Sequence, residues 1–259
     1  MRKNIKTGAI LMIAIMIISL SLWIKNKDEV VKTNANVSNK KIEWGIKRND
    51  NHEQPDVGSE NRRILEENNG ICLGNSETKT IYLTFDEGYE AGYTEQNDVK
   101  ATFFLTAHYV NTQENLVKQM IEEGHIIGNH TVNHKSMPSL TEEEIKKEVM
   151  DLHQSVYEKF GYEMKYIRPP KGEFSEKTLQ VTNTLGYENV MWSFAHEDWN
   201  EEKQPDEEKA KNKILNNLHN GEIMLLHGNS KTNMNILDGV IKEAKNMGYV
   251  FKSLDEFER

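Results

Sequence analysis

The sequence predicts an α/β fold in which a parallel β-sheet is covered by helices. Two observations carry this prediction. From about residue 76, short apolar runs that suit strands alternate with amphipathic stretches that suit helices, as in parallel sheets with helical crossovers. Polar residues follow nearly every apolar run, at the sheet edge where such folds place their functional sites. The pattern leaves open whether the sheet closes into a barrel.

The predicted elements follow one another in regular order. The seven predicted strands cover residues 81–85, 101–106, 125–128, 166–167, 190–194, 223–226 and 249–252. Helices are predicted at 115–123, from a capping box at Thr141 and Glu144 to Gly161, from Ser175 to Gly186, at 206–218, and around Ile236, Val240 and Ala244.

Composition excludes several classes of protein. The 259 residues carry a net charge of −9, and no basic block lies outside the extreme N-terminus, which argues against nucleic-acid binding. Cys72 is the single cysteine, so an intrachain disulfide and a multi-cysteine metal site are excluded. Nine histidines keep a histidine-based metal site open.

The N-terminus has the pattern of a membrane-targeting segment. An uncharged apolar run at 8–24 lies between basic residues, and Trp23 at its exit favours an uncleaved anchor over a cleaved signal peptide. We therefore expect a signal anchor at 1–27, a linker and pre-domain segment at 28–75, and a catalytic domain at 76–259. This arrangement predicts a membrane partner and an exported domain outside the cytoplasm.

Ionisable residues gather at the predicted strand ends. They are Asp86, Glu87, His130, His134, Arg168, Asp198 and His227. Because the carboxyl ends of parallel strands meet at one edge, their convergence indicates a site more strongly than any single motif.

The two histidines are the best local indication of a metal. A separation of four residues places the rings of His130 and His134 on one helical face, within reach of one ion. The alternative is a pair of surface histidines. Imidazole and carboxylate ligands suit zinc, and cobalt, manganese or another divalent ion stays open.

The other candidates each have a plain structural alternative. Asp86 and Glu87 could share proton transfer and metal ligation, or form an ordinary polar turn. Arg168 could hold a carboxylate in a catalytic or a structural ion pair. Asp198 could orient a histidine or cap a turn, and the neighbouring Trp199 could line a sugar site or pack.

Together these residues resemble a known family. The motifs Thr84-Phe-Asp-Glu-Gly, His130-x-x-x-His134, Arg168-Pro-Pro-x-Gly, Asp198-Trp and Leu225-Leu-His occur in the order of the polysaccharide deacetylases, carbohydrate esterase family four. The segment Gly88-Tyr-Glu-x-Gly-Tyr-Thr resembles a closer branch, the delta-lactam-biosynthetic de-N-acetylases of spore-forming bacteria. The resemblance covers roughly residues 42–259.

The resemblance implies a distorted seven-stranded (β/α) barrel and metal-dependent removal of N-acetyl groups from muramic acid in spore cortex peptidoglycan. The roles it implies are Asp86 as general base, Arg168 as its holder, His130, His134 and Glu87 as metal ligands, the Lys171 backbone N–H as oxyanion donor, His227 as general acid tuned by Asp198, and Leu225 and Trp199 as substrate contacts. Two alternatives stay open: a deacetylase of N-acetylglucosamine in peptidoglycan or chitin, and a catalytically impaired glycan-binding relative.

The sequence departs from the family after the first motif. Only residues 87–100 separate Asp86 from the next predicted strand, where the family has a site loop and a full helix. We therefore expect the first crossover helix to be shortened and the protein to be less stable than a relative that has it. Glu87 also stands where the family usually has aspartate, or asparagine in the muramic branch.

Overall fold

A parallel sheet forms the centre of the computed structural model, which describes residues 37–86, 97–200 and 202–259. The strands are β1 (Ile42–Glu43), β2 (Gly70–Ile71), β3 (Thr80–Asp86), β4 (Thr102–Leu105), β5 (Ile126–Asn129), β6 (Tyr166–Ile167), β7 (Glu173–Phe174), β8 (Glu188–Val190), β9 (Glu222–His227) and β10 (Val250–Phe251). The helices are α1 (Ser59–Glu67), α2 (Ala107–Thr112), α3 (Glu114–Glu122), α4 (Glu142–Phe160), α5 (Glu176–Thr184), α6 (Glu207–Asn216) and α7 (Lys231–Asn246).

The sheet is parallel and curled. Its order is β10-β3-β4-β5-β6-β8-β2, and β9 pairs with β3 along residues 81–86. A parallel bridge joins Phe194 to Met224, and the Leu225 N–H donates to the Phe194 carbonyl at 2.8 Å, so the segment after β8 reaches β9. The curled parallel sheet with its helices confirms the predicted α/β class and fits the (β/α) barrel that the resemblance implies.

The two faces of the sheet carry different clusters. Strand residues such as Phe85 and Phe103 pack with helix residues such as Leu152 and Ile241 in the main core. Tyr82 and Phe104, together with residues of β6, β8 and β9, form a separate cluster on the other face of the strands. Because successive strand side chains point to opposite faces, this second face fills the inside of the curl.

The predicted helix ends are confirmed where local chemistry fixes them. Thr141 and Glu144 make both bonds of a capping box at the start of α4, and Gly161 ends that helix with φ of 64°. Ser175 and Asp206 cap α5 and α6 by accepting backbone N–H groups. These side chains satisfy donors that a helix leaves unpaired, so sequence alone locates them.

The structure adds elements upstream of residue 76. Helix α1 and strand β2 follow one another there, and β1 pairs antiparallel with β7. Trp44, Val57 and Leu65 share a buried cluster with Phe174 and Met191. Residues 39–259 form one compact unit, so the segment from residue 39 folds with the sheet.

Three predictions fall outside the described residues. They are the signal anchor at 1–27, metal ligation by Glu87, and the shortened crossover helix, most of whose segment is residues 87–96. These stay predictions. Among the residues that the structure describes, no helix has the length and apolar character needed to cross a membrane.

Candidate active site

Seven of the nine predicted site residues in the described ranges line one cavity of about 700 Å³, and the other two, Arg168 and Asp198, are hydrogen-bonded to Asp86 and His227 of that lining. Its walls are Asp86, His130, His134, Lys171, Gly172, Trp192, Ala195, His196, Trp199, Leu225, His227 and Asn229. Strand parity explains the convergence. Thr84 and Asp86 share the inner face of β3 with Tyr82, and Leu225 and His227 share the inner face of β9 with Ile223.

Asp86 is held by a buried arginine. The Arg168 guanidinium has no exposed surface and donates from Nη1 to Asp86 Oδ1 at 2.8 Å and from Nη2 to Thr84 Oγ1 at 2.8 Å. Its Nε donates to the Val190 carbonyl, and its Cζ lies over the Phe104 ring, 4.2 Å from the ring centroid. Burial alone would raise the pKa of Asp86, but the positive charge of Arg168 outweighs burial and lowers that pKa.

The two predicted metal ligands are close together, with ring centroids 4.8 Å apart. Their expected helical setting was wrong, because residues 130–134 form a loop in which Thr131 and His134 have φ of 66° and 52°. Side chains fold this loop: Asn129 Oδ1 accepts the Thr131 N–H, and Thr131 Oγ1 accepts the His134 N–H. The short separation therefore comes from a polar turn rather than from helical periodicity.

The described donors fit a divalent metal ion. His130 Nδ1 lies 2.9 Å from the Arg168 carbonyl oxygen, which only accepts, so Nδ1 carries the proton and Nε2 presents its lone pair. That Nε2 lies 3.5 Å from Asp86 Oδ2, beside His134 at the cavity wall. Within the described ranges no cluster of three or more histidine, cysteine or acidic ligands is found, and the predicted third ligand Glu87 lies outside them.

An aspartate–histidine pair forms another wall. His227 Nδ1 lies 2.8 Å from Asp198 Oδ1, and the His227 backbone N–H donates to Asp198 Oδ2 at 2.9 Å. Burial alone would lower the pKa of His227, but the hydrogen bond and charge of Asp198 outweigh burial and raise it. The pair therefore holds a proton on an imidazole that faces the cavity.

The predicted substrate contacts also line the cavity. Lys171 has φ of 62° in the turn Pro170–Gly172, and Leu225 is buried beside His227. Trp199 is 56 % exposed, with its ring 6.1 Å from that of His227, an arrangement suited to a sugar face.

Sequence reasoning missed two buried polar residues, His196 and Asn233. Asn233 donates to Asp198 Oδ2 at 2.5 Å, and its Oδ1 lies 3.2 Å from His196 Nε2. Asn233 could have been identified from its position in the first turn of a helix that begins just after the His227 strand. His196 carries no pattern that distinguishes it from a packed residue.

Comparison with known proteins identifies the family of this chain. The polysaccharide deacetylase family profile matches residues 73–190. The peptidoglycan-N-acetylmuramic acid deacetylase PdaA of Bacillus subtilis is 42% identical over 228 residues, covering 85% of this chain and 87% of that protein. A peptidoglycan-N-acetylglucosamine deacetylase of Bacillus cereus is 33% identical, covering 70% and 89%.

A solved structure of a related protein supports the same family. Bacillus subtilis PdaA, a family 4 carbohydrate esterase, superimposes with a TM-score of 0.81 at 41% identity, covering 85% of this chain and 98% of that one. A similarity of this extent, together with the five ordered motifs, shows the family. The chain belongs to the polysaccharide deacetylases of carbohydrate esterase family four.

Proposed function

We propose that this chain is a metal-dependent hydrolase that removes the N-acetyl group of N-acetylmuramic acid in peptidoglycan. The observation that carries the proposal is one cavity faced by an Asp86 carboxylate held ionised and a His227 imidazole held protonated. The similarity to the muramic acid deacetylase of Bacillus subtilis supports the sugar assignment.

The described residues suit hydrolysis of an amide. Asp86 accepts a proton from the attacking water, and Arg168 keeps its carboxylate oriented. The Lys171 backbone N–H stabilises the developing oxyanion, and His227 protonates the departing sugar amine, giving acetate and a free amine. Leu225 lies against the acetyl methyl group.

His130, His134 and Glu87 are the residues that would hold the metal. A bound divalent ion would polarise the acetyl carbonyl and lower the pKa of water. Two imidazoles and one carboxylate favour zinc, with cobalt and manganese as the next candidates.

The proposed product suggests a setting in the spore cortex. A free amine on muramic acid lies near the lactyl carboxyl group of the same sugar, and their condensation with loss of water gives a delta-lactam. We place the enzyme before that ring closure.

Acetate release tests the sugar assignment. Purified protein is incubated with peptidoglycan stripped of stem peptides and with chitin oligomers, each with and without chelator. We expect acetate from the muramic-acid-containing glycan, with the new amine on muramic acid, and none after chelation. Amines on N-acetylglucosamine would instead favour the second candidate, which the Bacillus cereus relative supports. A purified protein that binds no divalent ion and releases no acetate from any glycan would favour a glycan-binding relative.

We also propose that residues 1–27 anchor the enzyme in the membrane with the catalytic unit facing the wall. The basic flanks, the apolar run and Trp23 support this placement. The full chain should sediment with membranes and resist carbonate washing, and a chain lacking residues 1–38 should not. A full chain recovered in the soluble fraction would contradict the anchor.

A further inference from the structure

We propose that Asn233 is a positioning residue that fixes the carboxylate of Asp198 and, through it, the imidazole of His227. This inference rests on the proposed function, in which His227 donates a proton. It adds a residue from helix α7 to a site otherwise built from strand ends and loops.

The position of Asn233 is fixed by its own helix. It lies in the first turn of α7 with 1% of its surface exposed, and its backbone N–H donates to the side chain of the N-cap residue Ser230 at 3.2 Å. Buried polar side chains in such positions are expensive unless they are hydrogen-bonded. The amide of Asn233 therefore has to find partners inside the site.

The partners determine the orientation of the amide. Nδ2 lies 2.5 Å from Asp198 Oδ2 and 3.2 Å from the His227 carbonyl oxygen. Both oxygens can only accept hydrogen bonds. Burial alone would raise the pKa of Asp198, but the hydrogen bond with His227 outweighs burial and lowers that pKa, so the carboxylate is ionised. The NH₂ group must therefore face them, which turns Oδ1 toward His196.

His196 holds the other end of the amide. Its Nε2 lies 3.2 Å from Asn233 Oδ1 and 3.6 Å from Asp198 Oδ2, so this nitrogen carries a proton. The ring is 5% exposed. Asn233 is consequently held at both ends of its amide, and rotation of the side chain would break three hydrogen bonds.

Asn233 supplies a constraint that His227 cannot supply. Among the described residues, the other two hydrogen bonds to the Asp198 carboxylate come from the ring and the backbone of His227 itself. The Asn233 bond comes from a separate element and ties the loop that holds Asp198 to the end of β9. Without it, the carboxylate and the imidazole can move together away from the substrate.

Two substitutions separate positioning from a general structural role. Asn233→Ala deletes both donor bonds. Asn233→Asp has nearly the same shape: a protonated carboxyl can still donate to Asp198, but an ionised one repels it. The charged groups around position 233 are Asp198 and His196 from the loop, His227 from β9, and Lys213 of α6, which acts on His196.

The test measures kcat and KM for acetate release from stripped peptidoglycan between about pH 5 and about pH 9, a range that spans the titration of a carboxyl with a raised pKa. We expect Asn233→Ala to lower kcat about tenfold at every pH with KM unchanged. Asn233→Asp should approach wild-type kcat at the acidic end and fall at least about tenfold further at the basic end.

A buried asparagine remote from the site provides the control. Asn68 donates to the Ile64 carbonyl at 2.8 Å, so Asn68→Ala should lower thermal stability without changing kcat. Equal losses of kcat in Asn233→Ala and Asn68→Ala would overturn the positioning role. It would also be overturned if the ratio of the Asn233→Asp kcat to the wild-type kcat did not vary with pH.

A second readout does not depend on turnover. In proton–nitrogen-15 correlation spectra of the purified chain, the signal of the hydrogen-bonded proton on His227 Nδ1 should be visible in wild type and lost in Asn233→Ala. In Asn233→Asp it should be present at acidic pH and lost at basic pH. An unchanged His227 signal in both variants would refute the inference, whether or not any glycan releases acetate. The absence of acetate release would count only against the proposed function.

Discussion

At the scale of single residues, the site depends on two buried pairs with opposite effects on protons. Arg168 keeps Asp86 unprotonated, and Asp198 keeps a proton on His227. Asp86, Arg168 and Asp198 are buried and His227 is half-buried, so these charges act more strongly than they would at the surface. Removing one partner should change the chemistry of the other in a predictable direction.

Asp86→Asn keeps an oxygen for Arg168 but removes the negative charge and the base. We expect acetate release to fall by about 100-fold or more. The free energy of unfolding should fall by about 3 kcal/mol, because a buried guanidinium loses its counter-charge. Turnover and urea midpoints measure the two effects, with Asp238→Asn in a half-buried i,i+4 ion pair of helix α7 as control. Retained turnover would remove Asp86 from the role of base.

Asp198→Asn should change the pH dependence of catalysis. Asp198 raises the pKa of His227 above its ordinary value of 6.5, and activity that needs protonated His227 is lost as pH rises through that pKa. With asparagine, burial dominates and the pKa falls. The basic limb of the kcat profile should therefore move to lower pH. A limb that stays in place would show that another group controls it.

At the scale of elements, the chain upstream of the family profile supports the cavity wall from behind. The Trp44 backbone N–H donates to the Gly172 carbonyl at 2.8 Å, and Trp44 Nε1 donates to the Trp192 carbonyl at 2.9 Å. Gly172 and Trp192 both line the cavity. Gly172 needs to be glycine because its φ is 67° and an added Cβ would lie 2.8 Å from the Trp192 ring.

Trp44→Phe should weaken this wall. The substitution keeps an aromatic ring but leaves the Trp192 carbonyl without its indole donor, which we expect to cost about 1–2 kcal/mol of stability. Because the Lys171 N–H lies in the adjoining turn, kcat should fall as well. Thermal unfolding and acetate release measure the two effects. A variant that loses stability and keeps full kcat would make Trp44 structural only.

At the scale of the whole molecule, a carboxyl at the opposite end of β9 should influence stability. Glu222 is fully buried, and among the described residues its Oε1 has no hydrogen-bond partner. Oε2 accepts the His219 N–H at 3.0 Å, but burial lowers the pKa of His219 to about 4, so that ring supplies no positive charge. Burial therefore raises the pKa of Glu222 well above its ordinary value of 4.5.

The raised pKa of Glu222 determines how this residue's contribution to stability changes with pH. The folded protein keeps the Glu222 proton above pH 4.5 while the unfolded chain releases it, so this group's contribution to stability declines as pH rises toward the folded pKa. Glu222→Gln should gain stability relative to wild type by up to about 1.4 kcal/mol per pH unit in that interval. Urea unfolding at several pH values measures the difference, and a constant difference would contradict a buried neutral Glu222.

Much of the fold was predictable because its signals are local. Six of the seven predicted strands and the capped helices reflect apolar periodicity and side chains that satisfy helix termini, both readable over a few residues. The strand predicted at 190–194 was misplaced, because β8 ends at Val190 and only a single bridge at Phe194 follows it. Helices α1 and α2 and the short strands β1, β2 and β7 were missed. A two-residue strand has no period, and its existence depends on the partner that it meets.

The sequence by itself determined the order of elements, the family motifs and the residue types that carry the chemistry. Only the tertiary structure decided that a polar loop rather than a helix brings His130 to His134, and that Asn233 and Trp44 support the site. Their contacts join residues far apart in the chain. Such contacts depend on how the sheet curls and where a helix begins relative to it, which no local periodicity encodes.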